Sequence, residues 1–283
     1  MKALACMMLI LLPALAWGQR DERDDRDWKF ENRETIHRSF DVSSATNAKK
    51  LLVDNRNGFI HVDGYGGKEV KVTVEKHIRA QSSEALAEAQ RDVKLDMSQQ
   101  GGFVRLYEDG PFRSHGRDDR YYGYHVDFDF EIQVPSDTEL VLKGFNQEIQ
   151  VKKVAGDFDI HGFNGGIDME DVSGSGAVDT FNGKVKVAFS KNPARETRFK
   201  TFNGSVDVYF QPTLDADLHF KTFHGAIYTD FEVNALSSSG ESKNGKFIYR
   251  SSHRMTAGRT GKGGPQLSFD TFNGSIRLHS KAL

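Results

Sequence analysis

The sequence has very little cysteine, little proline or tryptophan, and no excess of charge of either sign. Its one cysteine is Cys6, and its 283 residues include 6 Pro and 2 Trp. A single cysteine cannot form an internal disulfide, so the chain must be held together by its core. Lys and Arg total 38 against 40 Asp and Glu. Without a strong basic field, nucleic acid is not expected as a partner.

Long apolar runs are also missing after the first eighteen residues. The one such run, at 3–16, follows Lys2 and precedes the small residues of Ala16-Trp17-Gly18. This order is typical of a secretory signal peptide cleaved after Gly18, and the run is short for a membrane span. The sequence therefore predicts a signal peptide at 1–18. It also predicts an exported protein of the periplasm or cell surface, with no transmembrane segment in the mature chain.

The residues after the signal divide into three segments. Residues 19–33, rich in both signs of charge, predict a flexible leader. Residues 34–135 alternate apolar and polar side chains and predict an N-terminal β region. Within it, SEALAEAQRD predicts a short helix near 83–91, and the Gly- and Tyr-rich segment 110–124 predicts an exposed loop. Residues 136–283 contain repeats and are expected to continue the same domain.

The repeats are built on four residues. TFNG occurs at 180–183, 201–204 and 271–274, with near-copies GFNG at 162–165, TFHG at 222–225 and GFNQ at 144–147. A spacing near 20 residues is typical of stacked repeats, and alternating apolar residues flank each copy. The sequence therefore predicts an all-β protein with a right-handed β-solenoid (β-helix) at 136–283. An antiparallel β-meander or sandwich is the alternative, because Asn-Gly is also a strong hairpin signal.

The repeated residues predict a ladder of turns at one corner. Asn-Gly reaches positive φ at low cost, and stacked asparagine amides can hydrogen-bond to one another. Gln147 replaces the glycine in the first copy, which suits an atypical terminal unit. The predicted ladder comprises Asn164, Asn182, Asn203, His224, Asn273, Gly165, Gly183, Gly204, Gly225 and Gly274.

The phenylalanine of each copy follows an inward position by one residue, so strict alternation points it outward. A row of exposed rings would form an interaction stripe for a partner. Alternatively, the corner breaks the alternation and the rings are packed or covered. The candidate stripe comprises Phe163, Phe181, Phe202, Phe223 and Phe272.

Motifs for catalysis, cofactors and metals are not found. The chain has no HExxH, no CxxC pair and no phosphate-binding glycine loop, and its ten histidines are scattered. Acidic pairs such as Asp127/Asp129 and Asp157/Asp159 fit the solvated face of a strand. No catalytic, cofactor-binding or metal-binding residue is therefore predicted, and no cofactor is expected.

Two stretches resemble a known family: VPSDTELVLKGFNQEIQVKKVAGDFDIHGFNGGIDMEDVSG and the terminal GGPQLSFDTFNGSIRL. They resemble the bacterial putative-adhesin family of exported β-strand-repeat proteins, over most of residues 34–283. The resemblance implies a β-solenoid in a bacterial cell envelope, with no catalytic residues. The expected function is a non-catalytic binding or scaffold module for an envelope protein or glycan. A polysaccharide-acting enzyme and a ligand-free structural or stress-response envelope protein are the alternatives.

Overall fold

The computed structural model of the chain describes residues 28–45, 47–113, 122–235, 241–243, 246–249 and 256–281. The predicted signal peptide, the leader up to residue 27 and residues 114–121 of the predicted loop lie outside these residues.

In the described residues before 136, seven strands, one α-helix and a single 3₁₀ turn at Pro111–Arg113 are present. They are β1 (Phe30–Asp41), β2 (Lys50–Asn57), β3 (Ile60–Tyr65), β4 (Glu69–Ala80), α1 (Ser83–Asp92), β5 (Lys94–Gln100), β6 (Phe103–Asp109) and β7 (Tyr124–Pro135).

Sixteen further strands lie in the described residues after 136. They are β8 (Glu139–Asn146), β9 (Ile149–Lys152), β10 (Phe158–Asn164), β11 (Ile167–Val172), β12 (Gly176–Asn182), β13 (Val185–Phe189), β14 (Thr197–Asn203), β15 (Val206–Phe210), β16 (Ala216–His224), β17 (Ile227–Thr229), β18 (Asn234–Ala235), β19 (Glu241–Lys243), β20 (Lys246–Tyr249), β21 (Thr256–Thr260), β22 (Gln266–Asn273) and β23 (Ile276–Ser280).

The strands form two large mixed sheets, neither of which closes on itself. Sheet 1 has the order β1-β4-β7-β3-β9-β11-β13-β15-β23-β17-β20-β19. Sheet 2 has the order β18-β21-β16-β22-β14-β12-β10-β8-β2-β6-β5. The prediction of an all-β protein is confirmed, and the two layers have a sandwich-like arrangement.

Each repeat unit consists of one strand of Sheet 2, the corner, and the next strand of Sheet 1. Neighbouring units pair in parallel and in register, as Asn164 does with Asn146 and Asn182. This pairing differs from the antiparallel pairing of a meander. The unit β22/β23 lies between β14/β15 and β16/β17, so the last unit in the chain is inserted between two earlier ones.

Antiparallel pairing occurs at the ends of the sheets. β1 pairs with β4 along its whole length, from Phe30 opposite Ala80 to Asp41 opposite Glu69. The first strand therefore begins at Phe30 rather than at residue 34, because β4 offers a backbone partner to residues assigned to the leader. Helix α1 is capped by the Ser82 hydroxyl, which accepts a hydrogen bond from the Ala85 N–H.

The core lies between the sheets. Phe189 of Sheet 1 is fully buried and contacts Phe199 of Sheet 2 edge-on, with ring centroids 6.1 Å apart. Phe210 and Phe269 meet across the layers in the same way at 6.4 Å. Because inward positions hold these rings, the residues that alternate with them, including the phenylalanine of each repeated motif, face away from the core.

Candidate functional site

The asparagines of the repeated corners form a continuous side-chain ladder. The amide of each one donates to the Oδ1 of the unit before it, and His224 contacts Asn273 at the far end. The distances are 2.8 Å for Asn146 to Asn57, 3.1 Å for Asn164 to Asn146, 2.9 Å for Asn182 to Asn164, 2.8 Å for Asn203 to Asn182, 2.8 Å for Asn273 to Asn203 and 3.0 Å for His224 to Asn273. The ladder fixes the register of the units at the corner.

The threonines of the motif bind the same corner from inside. Each one is at most 4% exposed, and its hydroxyl donates to a glycine carbonyl of the neighbouring unit. The bonds are Thr180 to Gly165 (2.9 Å), Thr201 to Gly183 (2.8 Å), Thr271 to Gly204 (2.9 Å) and Thr222 to Gly274 (3.0 Å). Sequence reasoning gave these threonines only a strand preference. Their recurrence directly before the phenylalanine is the signal that could have identified this bond.

The glycines are required because neighbouring units approach too closely for a Cβ atom. An added Cβ would lie about 2 Å from a carbonyl oxygen of the adjacent unit: 1.9 Å at Gly165, 2.2 Å at Gly183, 2.0 Å at Gly204, 1.8 Å at Gly274 and 1.9 Å at Gly225. Among the described residues, positive φ outside glycine occurs at Gln147, Lys153 and Asp171, and not at the ladder asparagines. Where the Asn-Gly corners use positive φ, it lies at the glycine, as at Gly58, Gly183 and Gly204.

Gln147 holds the glycine position of its unit with φ 95°, in the left-handed region that favours glycine. Its unit, β8/β9, lies between β2/β3 and β10/β11. The expectation of a terminal unit is therefore wrong: the N-terminal strands continue the stack beyond Gln147.

The phenylalanines form one row on the outer face of Sheet 2, hereafter the Phe row. It comprises Phe145, Phe163, Phe181, Phe202, Phe272 and Phe223, each 37–42% exposed. Successive rings stack with centroids 4.7, 5.1, 4.8, 4.8 and 4.8 Å apart and within 11° of parallel. Because each inner ring has a neighbour on both faces, it meets solvent through its edge.

Charged side chains stand beside the Phe row, two residues before each ring. In the order of the row they are Lys143, His161, Asp179, Lys200, Asp270 and Lys221. His161 lies 3.1 Å from Asp179 and 2.9 Å from Asp159, and its hydrogen bond with Asp179 raises the pKa of its ring. Lys221 lies 3.7 Å from Asp270. Two pairs therefore form along the row, His161 with Asp179 and Lys221 with Asp270, whereas Lys143 and Lys200 have no ion pair in the described residues.

A seventh unit, missed in the sequence, extends the stack at Asn55-Arg56-Asn57-Gly58. Asn57 pairs with Asn146 in register and joins the ladder. Asn55 takes the threonine position, and its amide donates to the carbonyls of Gly58 (2.9 Å) and Phe128 (2.8 Å). The unit lacks the phenylalanine that identified the others, although its Asn-Gly pair was a usable signal.

Arg56 takes the phenylalanine position of this seventh unit. Its guanidinium carbon lies 5.2 Å from the ring centre of Phe145 and 5.0 Å from that of Phe112. Both distances are within the range of a cation–π interaction. The Phe row therefore ends not in a seventh ring but in a guanidinium stacked on the last ring.

A cleft of about 330 Å³ opens at this end of the Phe row. Its lining residues are Asp54, Asn55, Arg56, Arg113, Lys143, Gly144, Phe145, His161, Gly162 and Phe163. Arg113 lies 2.8 Å from the Asp54 carboxylate and stacks on Tyr107 at 4.7 Å. Lys143 is exposed and has no ion-pair partner in the part of the chain that the structure describes. The described lining of the cleft combines aromatic rings with the cationic side chains of Arg56, Arg113 and Lys143 and the carboxylate of Asp54.

Glu108 lies behind the wall of this cleft and is fully buried. Its Oε2 accepts a hydrogen bond of 2.5 Å from the Arg56 N–H, and its Oε1 has no hydrogen-bond partner among the residues that the structure describes. Burial raises the pKa of this carboxyl to about 7, although bonds to the backbone of Arg56 and the charge of Arg113 act in the opposite direction. The Glu108 carboxyl, with a pKa near neutral pH, therefore lies one hydrogen bond from the backbone of Arg56, the residue that ends the Phe row.

Groups suited to metal binding or acid–base chemistry are few in the described part of the cleft. Within the described ranges, no group of three or more His, Cys, Asp or Glu side chains is placed to hold a metal ion. Asp54 is the acidic residue among those that line the cleft, and its carboxylate is engaged with Arg113. Most glycoside hydrolases use two carboxyl groups that flank the scissile bond, and the described lining of this cleft contains one, Asp54.

The described part of the chain contains no helix long and apolar enough to cross a membrane.

Among known proteins, the chain is similar to several solved structures. No family model and no curated protein matches the chain. A putative cell adhesion protein from Clostridium sporogenes ATCC 15579 is 13% identical, covering 88% of this chain and 100% of its own, with a TM-score of 0.45. A putative adhesin from Bacteroides fragilis NCTC 9343 is 10% identical, covering 87% and 97%, with a TM-score of 0.36.

A putative lipid binding protein from Parabacteroides distasonis ATCC 8503 is 13% identical, covering 87% and 96%, with a TM-score of 0.29. The descriptions of the first two agree with the resemblance drawn from the sequence. Similarities of this degree carry no argument about function, which therefore rests on the site itself.

Proposed function

We propose that this chain is an exported, non-catalytic binding module of a bacterial cell envelope, with the Phe row as its recognition surface. The observation behind the proposal is the row itself: six stacked rings, each more than a third exposed, on one face. Contiguous exposed apolar surface of this kind is typical of interaction sites. The row extends for about 24 Å, five steps of roughly 4.8 Å, which suits an extended partner.

The finer architecture belongs to the same proposal. The parallel, in-register pairing of the units, the Asn ladder and the close approach of the corner glycines all support a β-solenoid over residues 136–283. Such a stack places one identical position of each unit in a line, which is how a short repeated motif produces a long surface. Export to the periplasm or cell surface is supported by the signal-like segment at 1–18.

Co-sedimentation of the mature chain (residues 19–283) with isolated envelope fractions tests the proposal. The variant Phe181→Ser/Phe202→Ser removes two rings from the middle of the row. The matched control is Phe30→Ser, which removes a ring of similar exposure from β1. We expect saturable binding by the wild type and the control, and at least about tenfold weaker binding by the double variant.

Circular dichroism and urea unfolding show whether the double variant keeps its fold, since each stacked pair adds about 0.5–1.5 kcal/mol. If the serine variant unfolds, Phe181→Leu/Phe202→Leu keeps apolar strand residues while removing the flat rings. Full binding by a folded variant without the rings would exclude the Phe row as the recognition surface. Failure of the wild type to bind would favour a ligand-free structural protein.

A further inference from the structure

The first strand of Sheet 1 has one edge that pairs with no strand in the described residues. β1 (Phe30–Asp41) stands at the end of the sheet order, where β4 is its one neighbour. Its 12 residues contain no proline, and their register with β4 has no bulge. Proteins usually shorten, bend or cover such an edge, because an unpaired strand can pair with another chain. β1 is therefore long and regular enough to continue the sheet.

The side of β1 that faces the core is covered only in part. Sheet 1 has three strands beyond β3, whereas Sheet 2 has two strands beyond β2, so β1 extends past the last strand of Sheet 2. Ile36 and Phe40 pack against the core but remain half-buried. A further strand beside β1 would cover the open side of both side chains.

The backbone of β1 is set to bond in that direction. In an antiparallel ladder, every second residue directs its N–H and C=O to a given neighbour. The Val42 N–H donates to the Lys68 carbonyl at 3.1 Å, so the even-numbered residues of β1 bond to β4. The odd-numbered residues, such as Thr35 and His37, therefore direct their N–H and C=O to the unpaired edge.

The charges on the core-facing side of β1 are complementary to themselves. Glu34 and Arg38 are both exposed and lie two residues on either side of Ile36. When two copies pair antiparallel about Ile36, Glu34 of each copy stands opposite Arg38 of the other. Arg38 has no ion pair in the described residues. Glu34 interacts electrostatically with Lys76, opposite it in β4, although the Lys76 ammonium itself donates to the Val93 carbonyl at 2.7 Å.

Other registers lack this complementarity. A slip of one residue sets core-facing side chains opposite outward-facing ones. A slip of two separates Glu34 from Arg38, and a slip of four sets one of them opposite itself, where like charges repel. The register about Ile36 places Glu31 opposite Asp41 at each end, but the Asp41 carboxylate already accepts a hydrogen bond from the Ser43 N–H at 2.8 Å.

We propose that two copies of this chain pair antiparallel through β1 and form a two-fold dimer with Ile36 on the axis. The inference goes beyond the proposed function and does not depend on it. Because the axis is perpendicular to Sheet 1, the two copies of this sheet join into one, and both Phe rows lie on the same side of the dimer. Two rows on one side can bind an extended partner at two places, which raises the overall affinity.

Sedimentation velocity of the mature chain (residues 19–283) tests the dimer. Glu34→Arg and Arg38→Glu each place two pairs of like charges across the axis, so we expect each variant to dimerise at least about tenfold more weakly than the wild type. An equimolar mixture of the two variants has opposite charges at both places, and the wild-type affinity should return. Lys200→Glu changes the net charge as Arg38→Glu does, but on Sheet 2, and should dimerise like the wild type.

A cysteine crosslink tests the register. The mature chain has no cysteine, because Cys6 precedes residue 19. In Ile36→Cys the two thiols face each other across the axis, at a Cα separation of about 4.5 Å that suits a disulfide. In the control Ser39→Cys the two cysteines are six positions apart along the strands, about 20 Å. We expect mild oxidation to crosslink Ile36→Cys at least about tenfold faster than Ser39→Cys.

Four results would overturn the inference. A wild-type chain that stays monomeric up to about 0.1 mM has no such dimer. A mixture of the two charge variants that dimerises no better than either variant alone, with both folded by circular dichroism, excludes the charge pairing. Equal crosslinking at positions 36 and 39 excludes the register. Dimers that dissociate in Phe181→Ser/Phe202→Ser but persist in Glu34→Arg place the contact on the Phe row instead.

Discussion

The hydroxyl of Thr201 provides a direct test of how the units are held together. It is 1% exposed and donates to the Gly183 carbonyl at 2.8 Å. The change Thr201→Val keeps the shape and the β-branched side chain but replaces the hydroxyl with a methyl group. The backbone of Gly204 packs directly against this carbonyl, since an added Cβ at Gly204 would lie 2.0 Å from its oxygen. Another donor therefore cannot reach the carbonyl unless the corner moves.

The expected magnitude follows from the lost bond. A neutral hydrogen bond contributes about 0.5–1.5 kcal/mol net, and an unsatisfied buried carbonyl costs about 1–3 kcal/mol. We therefore expect Thr201→Val to lower the free energy of unfolding by about 1–3 kcal/mol. In a chain of this size each kcal/mol corresponds to roughly 2–4 °C in Tm.

Urea unfolding followed by circular dichroism measures the effect, with the slope of the transition checked for constancy. Thr201→Ser keeps the hydroxyl and loses only a methyl group, and should cost about 1 kcal/mol or less. Thr35→Val, at an exposed position of β1, is the control and should change stability by less than about 0.5 kcal/mol. A valine variant as stable as the wild type, with the serine variant less stable, would refute the bonding role.

Two further predictions concern Gln147 and Glu108. Gln147→Gly relieves a φ of 95° and should stabilise the fold by about 1 kcal/mol in urea unfolding, whereas no gain would mean that Gln147 is not strained. The pKa of Glu108 is about 7 in the folded protein, against an ordinary value of 4.5 for the unfolded chain. The contribution of Glu108 to the free energy of unfolding is therefore fully present below pH 4.5 and is lost as the pH rises through 7. The stability difference between Glu108→Gln and the wild type should therefore shift by roughly 3 kcal/mol in favour of the variant between pH 4 and pH 8. A difference that does not change with pH would contradict a raised pKa of the buried carboxyl.

Local patterns in the sequence predicted strands and the helix well, because alternation and capping act between residues that are close in the sequence. Alternation of Val70, Val72 and Val74 predicted a strand, and the structure has β4 with these three side chains buried. Ser82 before SEALAEAQRD predicted a capped helix, and α1 spans Ser83–Asp92. Both signals depend on residues that are only a few positions apart in the sequence.

The order of the units could not be predicted from the same signals. Most corners offer the same hydrogen-bonding groups, so the motif does not specify which unit stacks on which. β22 pairs with β14 after a connection that includes β21, which itself pairs antiparallel with β16. The seventh unit does not match the repeated motif, because Arg56 stands where the others have phenylalanine.

The four residues of the motif have different reasons to recur. In TFNG, Thr201, Asn203 and Gly204 each act on a neighbouring unit, by a buried hydrogen bond, a ladder bond and a close backbone approach. Phe202 faces outward and acts on the neighbouring units through ring stacking, 4.8 Å from Phe181 and 4.8 Å from Phe272.

Other outward positions on the same face vary, as Asp179, Lys200 and Asp270 show two residues earlier in their units. Stacking alone gives a reason to keep rings in line, at about 0.5–1.5 kcal/mol per pair. It gives no reason for the line to end at Arg56, beside the cleft at Phe145. Stability and binding measured on the same phenylalanine variants decide between these two roles, because a purely structural row would lose stability without losing affinity in the variants that still fold.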